Sequence, residues 1–390
     1  MFRNIVVGLS GGVDSAVAAH LLKEKGFNVM GVFMRNWDEF DEIGHCSSEH
    51  DIRDAEYASK KLGIELRQVN YVKDYWNSIF TKFLEDYENG LTPNPDILCN
   101  KHIKFDLFHK YAIERLGYDA IATGHYARSS FGTFFELYQA NEGKFKPLLL
   151  LPKDNFKDQT FFLSGVRRQA LRRSMFPLAD LYKSEVKDIA RKCGLERLAN
   201  KKESTGICFV GNRNFKQFIE QYIYSKPGNF IDIDTGEIVG SHEGIHQWTL
   251  GQRCRLHSCL QPYYIASKDP QSNIIYVAAG HENPALYSDR IETAEVNWLC
   301  SNPLKFCDKL RCLFRFQHTK PLTVCNVYRS QKHEHGVTVV SMQPMRALTP
   351  GQYVVFYTKT ECLGSARILS SDNTLTIQPK EYLLKVMVCT

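Results

Sequence analysis

The sequence predicts an α/β region built on a parallel sheet, followed by a small mixed β-rich region and an antiparallel β-barrel. Three observations carry this expectation. Between residues 4 and 127, short apolar runs alternate with helix-period segments, the pattern of parallel strands joined by crossovers. A glycine pair, Gly11-Gly12, stands where the first apolar run gives way to the first helix. From residue 229 onward, short runs of strand-forming residues are separated by turn residues.

Taken in order, Asn4–Ser10 reads as a strand, 15–25 as an amphipathic helix and Asn28–Met34 as a second strand. A helix over Asp51–Leu62 leads to a third strand, Glu65–Tyr71. Helices follow over Asp74–Tyr87 and Ile103–Leu116, with the proline-rich TPNPDILCNK between them as a loop, because proline fixes φ and removes a donor. Ala120–Ala127 reads as another strand, and 157–193 as helical. Gly206–Val210 is expected to be a short strand. Asn229–Ile233 and Ile238–Ser241 then form a hairpin, as do Tyr263–Ala266 and Ile274–Ala278. Runs at Lys309–Phe316, Leu322–Tyr328, Val337–Ser341 and Tyr353–Thr358 supply the barrel. The expected division is 1–213, 214–283 and 284–390, and 390 residues suffice for three cores.

Composition is that of a globular protein, 43% hydrophobic and 24% charged. No apolar run approaches the ~18 residues of a membrane span. A net charge of +6, from 49 Lys and Arg against 43 Asp and Glu, permits a nucleic-acid partner without requiring one. Twelve cysteines are too few for a disulfide scaffold of this length, and none forms a C-x-x-C pair. Three residues precede the first strand, which leaves no room for a cleavable presequence.

The stretch Gly8-Leu9-Ser10-Gly11-Gly12-Val13-Asp14-Ser15 joins the first strand to the first helix. Glycines admit an anion close to the backbone, and the helix start offers open N–H groups and a positive dipole end. Ser10 and Ser15 add hydroxyl donors, and Asp14 is a candidate Mg²⁺ ligand. The spacing fits neither a Walker loop nor a dinucleotide fingerprint. SGGVDS resembles the pyrophosphate loop of the PP-loop ATP pyrophosphatases, an adenine nucleotide alpha hydrolase-like fold. That resemblance implies cleavage of ATP to AMP and pyrophosphate with adenylation of a substrate oxygen. Amidating synthetases share the loop, so the chemistry stays open at this point.

Two cysteines stand in motif-like settings, Cys99 in TPNPDILCNK and Cys208 in STGICFVG, where Lys201 and Lys202 lie upstream to favour thiolate. Singly, either is more often a buried small residue than a catalyst. Together with an adenylating loop they point to sulfur transfer. GLSGGVDS, GVFMRNW, TPNPDILCNKHIKF, ATGHYAR, KDQTFFLS, STGICFVGNRNF and TLGQR, in this order, resemble the tRNA-specific 2-thiouridylase family along essentially the whole chain.

The resemblance implies that Gly8–Ser15, Met34 and Gly124 bind ATP, and that Asn94, Pro95 and Asp96 meet the target uridine. It implies Cys99 as nucleophile and Cys208 as persulfide carrier, joined by a transient disulfide, with Asp96 as general acid or base. Lys157, Asp158 and Gln159, with Arg315 and Phe316, would touch tRNA. A persulfide donor protein, a monomeric state, no membrane and a mitochondrial setting complete the expectation. An iron–sulfur cluster on Cys99 and Cys208, with Asp96 as a further ligand, remains compatible. Asp96 equally suits turn capping, and Arg167, Arg168, Arg172 and Arg173 suit either an RNA backbone or water. His125 suits phosphate contact or a strand-end cap. Against the family pattern, Cys254-Arg255-Leu256-His257 follows TLGQR where Lys-Gly is common, and Arg315-Phe316 replaces Arg-Tyr. A relict nucleotide site in a noncatalytic RNA-binding or redox protein is the non-enzyme alternative.

Overall fold

The structure, a computed structural model, describes residues 2–37, 47–138, 146–202, 209–210, 213–256 and 261–372. Its first region is a five-stranded, all-parallel sheet in the order Glu65–Asn70, Asn28–Arg35, Asn4–Gly8, Ala120–Ala122, Ser174–Met175. Side-chain alternation divides the core. Ile5, Val7, Ala120 and Ala122 face a cluster with Val17, Leu22 and Val186, whereas Val6, Val32 and Ile121 face Phe105 and Phe108. The order reverses between Asn4–Gly8 and Ala120–Ala122, so a crevice opens there at the carboxyl ends of the strands.

A second, five-stranded sheet is ordered Arg253–Cys254, Tyr263–Asp269, Ile274–Ala279, Gly228–Asp232, Ile238–His242, and both expected hairpins are present. It closes over Phe230, Ile265, Ile275 and Val277. The last region is an antiparallel barrel of Tyr287–Thr293, Val337–Arg346, Thr323–Arg329, Lys309–Arg315, Tyr353–Tyr357 and Glu361–Asp372, whose final strand pairs back with the first. Tyr287–Thr293 and Glu361–Asp372 escaped the sequence reading because their charged and small residues hide the period-two pattern. Two further strands, Arg128–Ser129 and Leu149–Leu150, come from the first region and extend the barrel sheet through Glu361–Cys362. At two residues each, they carry no sequence signal.

Other expectations change. The segment 157–193 is not one helical stretch but Thr160–Leu163, Arg168–Leu171, a strand at Ser174–Met175 and Lys183–Lys192. Gly165 and Pro177 stand at its interruptions, as helix breakers do. Strand Ala120–Ala122 stops before the Gly-His turn. Phe209-Val210 lie in a turn rather than a strand, and 206–208 fall outside the described residues.

A buried ion pair holds the barrel to the first region. Arg315 donates to the Asp158 carboxylate and, at 3.1 and 3.3 Å, to the hydroxyl of Tyr357. Asp158 also accepts from Thr160 N and Oγ1 at 2.9 and 2.7 Å. Such a pair offsets its own desolvation cost only when its hydrogen bonds are complete, and its main effect is to fix registry. Arg315→Met would leave Asp158 buried and unpaired, at a cost of about 3–5 kcal/mol. Denaturant unfolding should show that loss, and the double variant Asp158→Asn/Arg315→Met should recover most of it.

Candidate active site

After Gly8 the chain keeps one more sheet bond, Leu9 N to Val32 O at 2.9 Å, and then turns. Gly11 has φ +73°, and a Cβ there would lie 2.3 Å from the Asp51 carbonyl oxygen. No side chain caps the helix Val13–Glu24 at Gly12, so its first turn offers N–H groups without an intrahelical partner at the crevice end of the strand. Ser15 closes the turn from inside: its Oγ donates to Gly12 O at 3.0 Å and accepts from Ser10 N at 3.2 Å. Lys201 braces the outside, donating to Gly11 O at 3.3 Å, Asp51 at 2.8 Å and Asp54 at 2.6 Å. Those are the partners of the Lys201 side chain among the described residues, which do not include Cys208.

Asp14 is occupied. Lys183 Nζ lies 2.7 Å from both of its oxygens, and the Tyr126 hydroxyl donates to it at 3.0 Å. A Mg²⁺ ion on this carboxylate would share it with the Lys183 ammonium and the Tyr126 hydroxyl. Among the described residues, no three His, Cys, Asp or Glu side chains gather as a metal site. Tyr126 is in turn fixed by Gln159, whose side-chain oxygen accepts from Tyr126 N at 2.9 Å.

Met34 and Gly124 flank the same loop. A Cβ on Gly8 would come within 3.1 Å of Met34 Cε, and one on Gly124 within 2.6 Å of Ser15 N. Gly124 therefore permits the close packing that sets the start of the helix. His125 is buried beside it, with Nδ1 2.8 Å from Thr123 Oγ1. Burial, reinforced by Lys104, holds its imidazole well below the usual histidine range, so it is neutral and brings no counter-charge to phosphate.

TPNPDILCNK is not a loop throughout. Asn94 caps a helix that begins at Pro95 and continues through Arg115, and its side-chain oxygen accepts from Ile97 N at 3.4 Å. Asn at the cap with Pro at the first helical position is a start signal, and it outweighs the loop reading of the prolines. Cys99 thus sits on the first turns of a helix, 4% exposed, in an apolar cluster with Phe83, Ile103, Phe209 and Val210. Asp96 is half-buried, and burial raises its carboxyl above the ordinary range while Lys104 partly opposes the rise. Cys208 lies outside the described residues.

The residues expected to touch RNA divide. Lys157 and Gln159 are half-buried, but Asp158, Arg315 and Phe316 are buried at 3%, 7% and 1% exposure. The side chains of Asp158 and Arg315 are engaged with each other, so as folded they form an internal lock rather than an RNA-facing surface. Arg167, Arg172 and Arg173 are exposed, whereas Arg168 donates to Leu299 O at 3.3 Å. In the departure after TLGQR, Cys254 is buried and Arg255 exposed, and His257 is outside the described residues. Lys183, Lys201 and Tyr126 were not anticipated as loop partners, and no local pattern marks them.

A parallel sheet with an uncapped, serine-tied phosphate loop at its topological switch point, and a cysteine on a neighbouring helix start, defines a nucleotide-dependent enzyme of the PP-loop class. Three families match in succession: the tRNA methyl transferase HUP domain over residues 3–212, the tRNA methyl transferase PRC-barrel domain over 216–279 and the aminomethyltransferase beta-barrel domain over 288–368. The mitochondrial tRNA-specific 2-thiouridylase 1 of Drosophila melanogaster is 63% identical, with 95% of each chain covered. The Homo sapiens protein of the same name is 46% identical over 94% of this chain and 90% of its own. A bacterial tRNA-specific 2-thiouridylase, MnmA of Alkaliphilus oremlandii, is 43% identical over 93% and 96%. This chain belongs to the tRNA-specific 2-thiouridylase family.

Gly124→Ala should push the start of the helix out of place. A shift near 1 Å costs up to about a hundredfold in rate. ATP-dependent pyrophosphate release, followed against ATP concentration, should show the loss, and the melting temperature should fall with it because the clash is with backbone.

Proposed function

We propose that this chain is an ATP-dependent tRNA sulfurtransferase that converts the wobble uridine of Lys, Glu and Gln tRNAs to 2-thiouridine, in the mitochondrion. The observation that carries the reading is the phosphate loop beside a cysteine-bearing helix start, in a member of a family whose relatives carry the thiouridylase name. The working division is a catalytic region at 1–213, a tRNA-binding region at 214–283 and the barrel at 284–390, acting as a monomer.

Gly8–Ser15 hold the phosphates of ATP, and Met34 and Gly124 border the adenosine. Uridine O2 attacks the α-phosphorus, and pyrophosphate leaves. A poor leaving oxygen has then become part of AMP, a good one. Cys208 carries the incoming sulfur as a persulfide received from a donor protein. Cys99 thiolate attacks the inner sulfur, the Cys99–Cys208 disulfide forms and the outer sulfur departs as hydrosulfide. That sulfur bonds to C2 as AMP leaves with the former O2. Direct attack of the persulfide on C2, followed by Cys99, ends at the same disulfide, and a dithiol reductant resets the pair. Asn94, Pro95 and Asp96 meet a uridine extruded from the anticodon stack. Burial raises the Asp96 carboxyl above the ordinary carboxylate range, which favours proton transfer over a permanently ionised role. Phe209 and Val210, next to Cys208 in sequence, pack in the same cluster as Cys99, which supports pairing of the two thiols.

Incubation with ATP, a persulfide donor and unmodified tRNA should yield 2-thiouridine and AMP, read by mass spectrometry of digested tRNA. Cys99→Ser and Cys208→Ser should each abolish the product, and normal thiolation by both would refute the sulfur chemistry. The pH profile is a separate check. As a base, Asp96 works ionised, so the rate falls as pH drops through its pKa. Lys104→Met removes the positive charge that opposes the rise, so the acid limb should move to higher pH.

A further inference from the structure

The helix start that carries Asp96 and Cys99 is not held by the first region alone. A barrel loop, Arg346–Gln352, reaches across to it. Gln352 Nε2 donates to Thr92 O at 2.9 Å and Pro93 O at 3.2 Å, while its Oε1 accepts from Asn94 Nδ2 at 3.3 Å. Thr92 N donates to Pro350 O at 3.0 Å. Between these two contacts Gly351 has φ +94°, and a Cβ there would lie 2.8 Å from Thr92 N and 2.9 Å from Thr92 O. The approach is thus backbone to backbone, with one side chain gripping three consecutive residues.

Asn94 has its carboxamide divided by this arrangement, since the oxygen caps the helix at Ile97 N and the amide meets Gln352. The same barrel loop clasps the middle region. Arg346 donates to Gly251 O at 3.3 Å, and a Cβ on Gly251 would lie 2.7 Å from Ala347 Cβ. TLGQR and TPNPD, far apart in sequence, are therefore fixed to one loop. Beside it lies a cleft of about 710 Å³ where all three regions meet, lined in part by Leu91, Leu250 and Pro350.

We propose that Gln352 is a positioning residue for thiolation: it sets Asn94, and with it the helix start bearing Asp96 and Cys99, relative to the phosphate loop. The inference rests on the reading of Asn94 and Asp96 as the uridine-facing residues. Three hydrogen bonds from Gln352, next to the strand Tyr353–Tyr357, tie the loop to the barrel. Gln352 touches no reacting atom in this account. A secondary anchor lies nearby, the Arg367–Asp86 ion pair at 2.7 Å, which joins the barrel to the preceding helix without touching the Thr92–Asn94 segment.

The test uses the full chain and compares Gln352→Ala, Gln352→Glu, Arg367→Met and Asn94→Ala. Gln352→Glu keeps the acceptor for Asn94 but cannot donate to the Thr92 and Pro93 carbonyls. Both Gln352 variants should lose ~10- to 100-fold in kcat/KM for tRNA thiolation, while KM for ATP and the melting temperature stay near the parent values. Arg367→Met should lower the melting temperature without that selective loss. Parent-like thiolation by both Gln352 variants, with Asn94→Ala impaired, would overturn the positioning role alone. A fall in ATP and tRNA parameters together, in step with melting temperature, would reduce Gln352 to a structural residue and also overturn it. Unimpaired thiolation by Asn94→Ala would instead remove the uridine-facing reading on which the inference stands.

Discussion

An open helix start at the switch point of a parallel sheet is the constraint on which the site depends. The N–H groups of Val13 and its neighbours lack a side-chain cap, and buried backbone donors need partners. An anion supplies them well, because the dipole and the glycine-rich approach favour negative charge. Most nearby features keep this end in shape. Ser15 ties the turn internally, Lys201 bridges Gly11 to Asp51 and Asp54, and Gly124 allows the facing strand end to close on Ser15.

Charge placement follows from the same requirement. Lys183 lies against Asp14 rather than alone in the crevice, and the buried His125 is neutral. A negative charge placed at this helix start would therefore meet backbone dipoles and hydroxyls first. The lysine pairs around the loop are internally balanced, which keeps the helix start from being distorted by an uncompensated ammonium. Asp158 and Arg315 repeat the principle between regions, two opposite charges buried against each other with Tyr357 and Thr160 completing their bonds.

How much of this was legible depends on sequence separation. Gly8–Ser15 were readable because the turn, its glycines and the helix start are contiguous. The Cys99 segment was half-readable: Asn94-Pro95 carries a helix-start signal that the flanking Pro93 masked. Lys183 and Gln352 were not readable, since their bonds span 169 and 260 residues and Lys or Gln at such positions has no local signature. Arg315 and Asp158 misled for a related reason. Charged residues in family-like motifs suggest an RNA surface, but burial is decided by which strands close the barrel, and two of those strands were hidden by charged and small residues.

The two short strands at Arg128–Ser129 and Leu149–Leu150 bear on how the protein is born. Their partner, Glu361–Cys362, leaves the ribosome more than two hundred residues after them, and Gln352 emerges shortly before it. During synthesis the parallel sheet and its phosphate loop have all their sequence early, whereas the turn ahead of Cys99 waits for Gln352 of the barrel. A truncated product would carry the nucleotide loop without the grip on the thiol-bearing helix. On the proposed role of Gln352, the barrel thus acts as a checkpoint on the chemistry, because a segment made after the parallel sheet grips the helix start that carries Cys99.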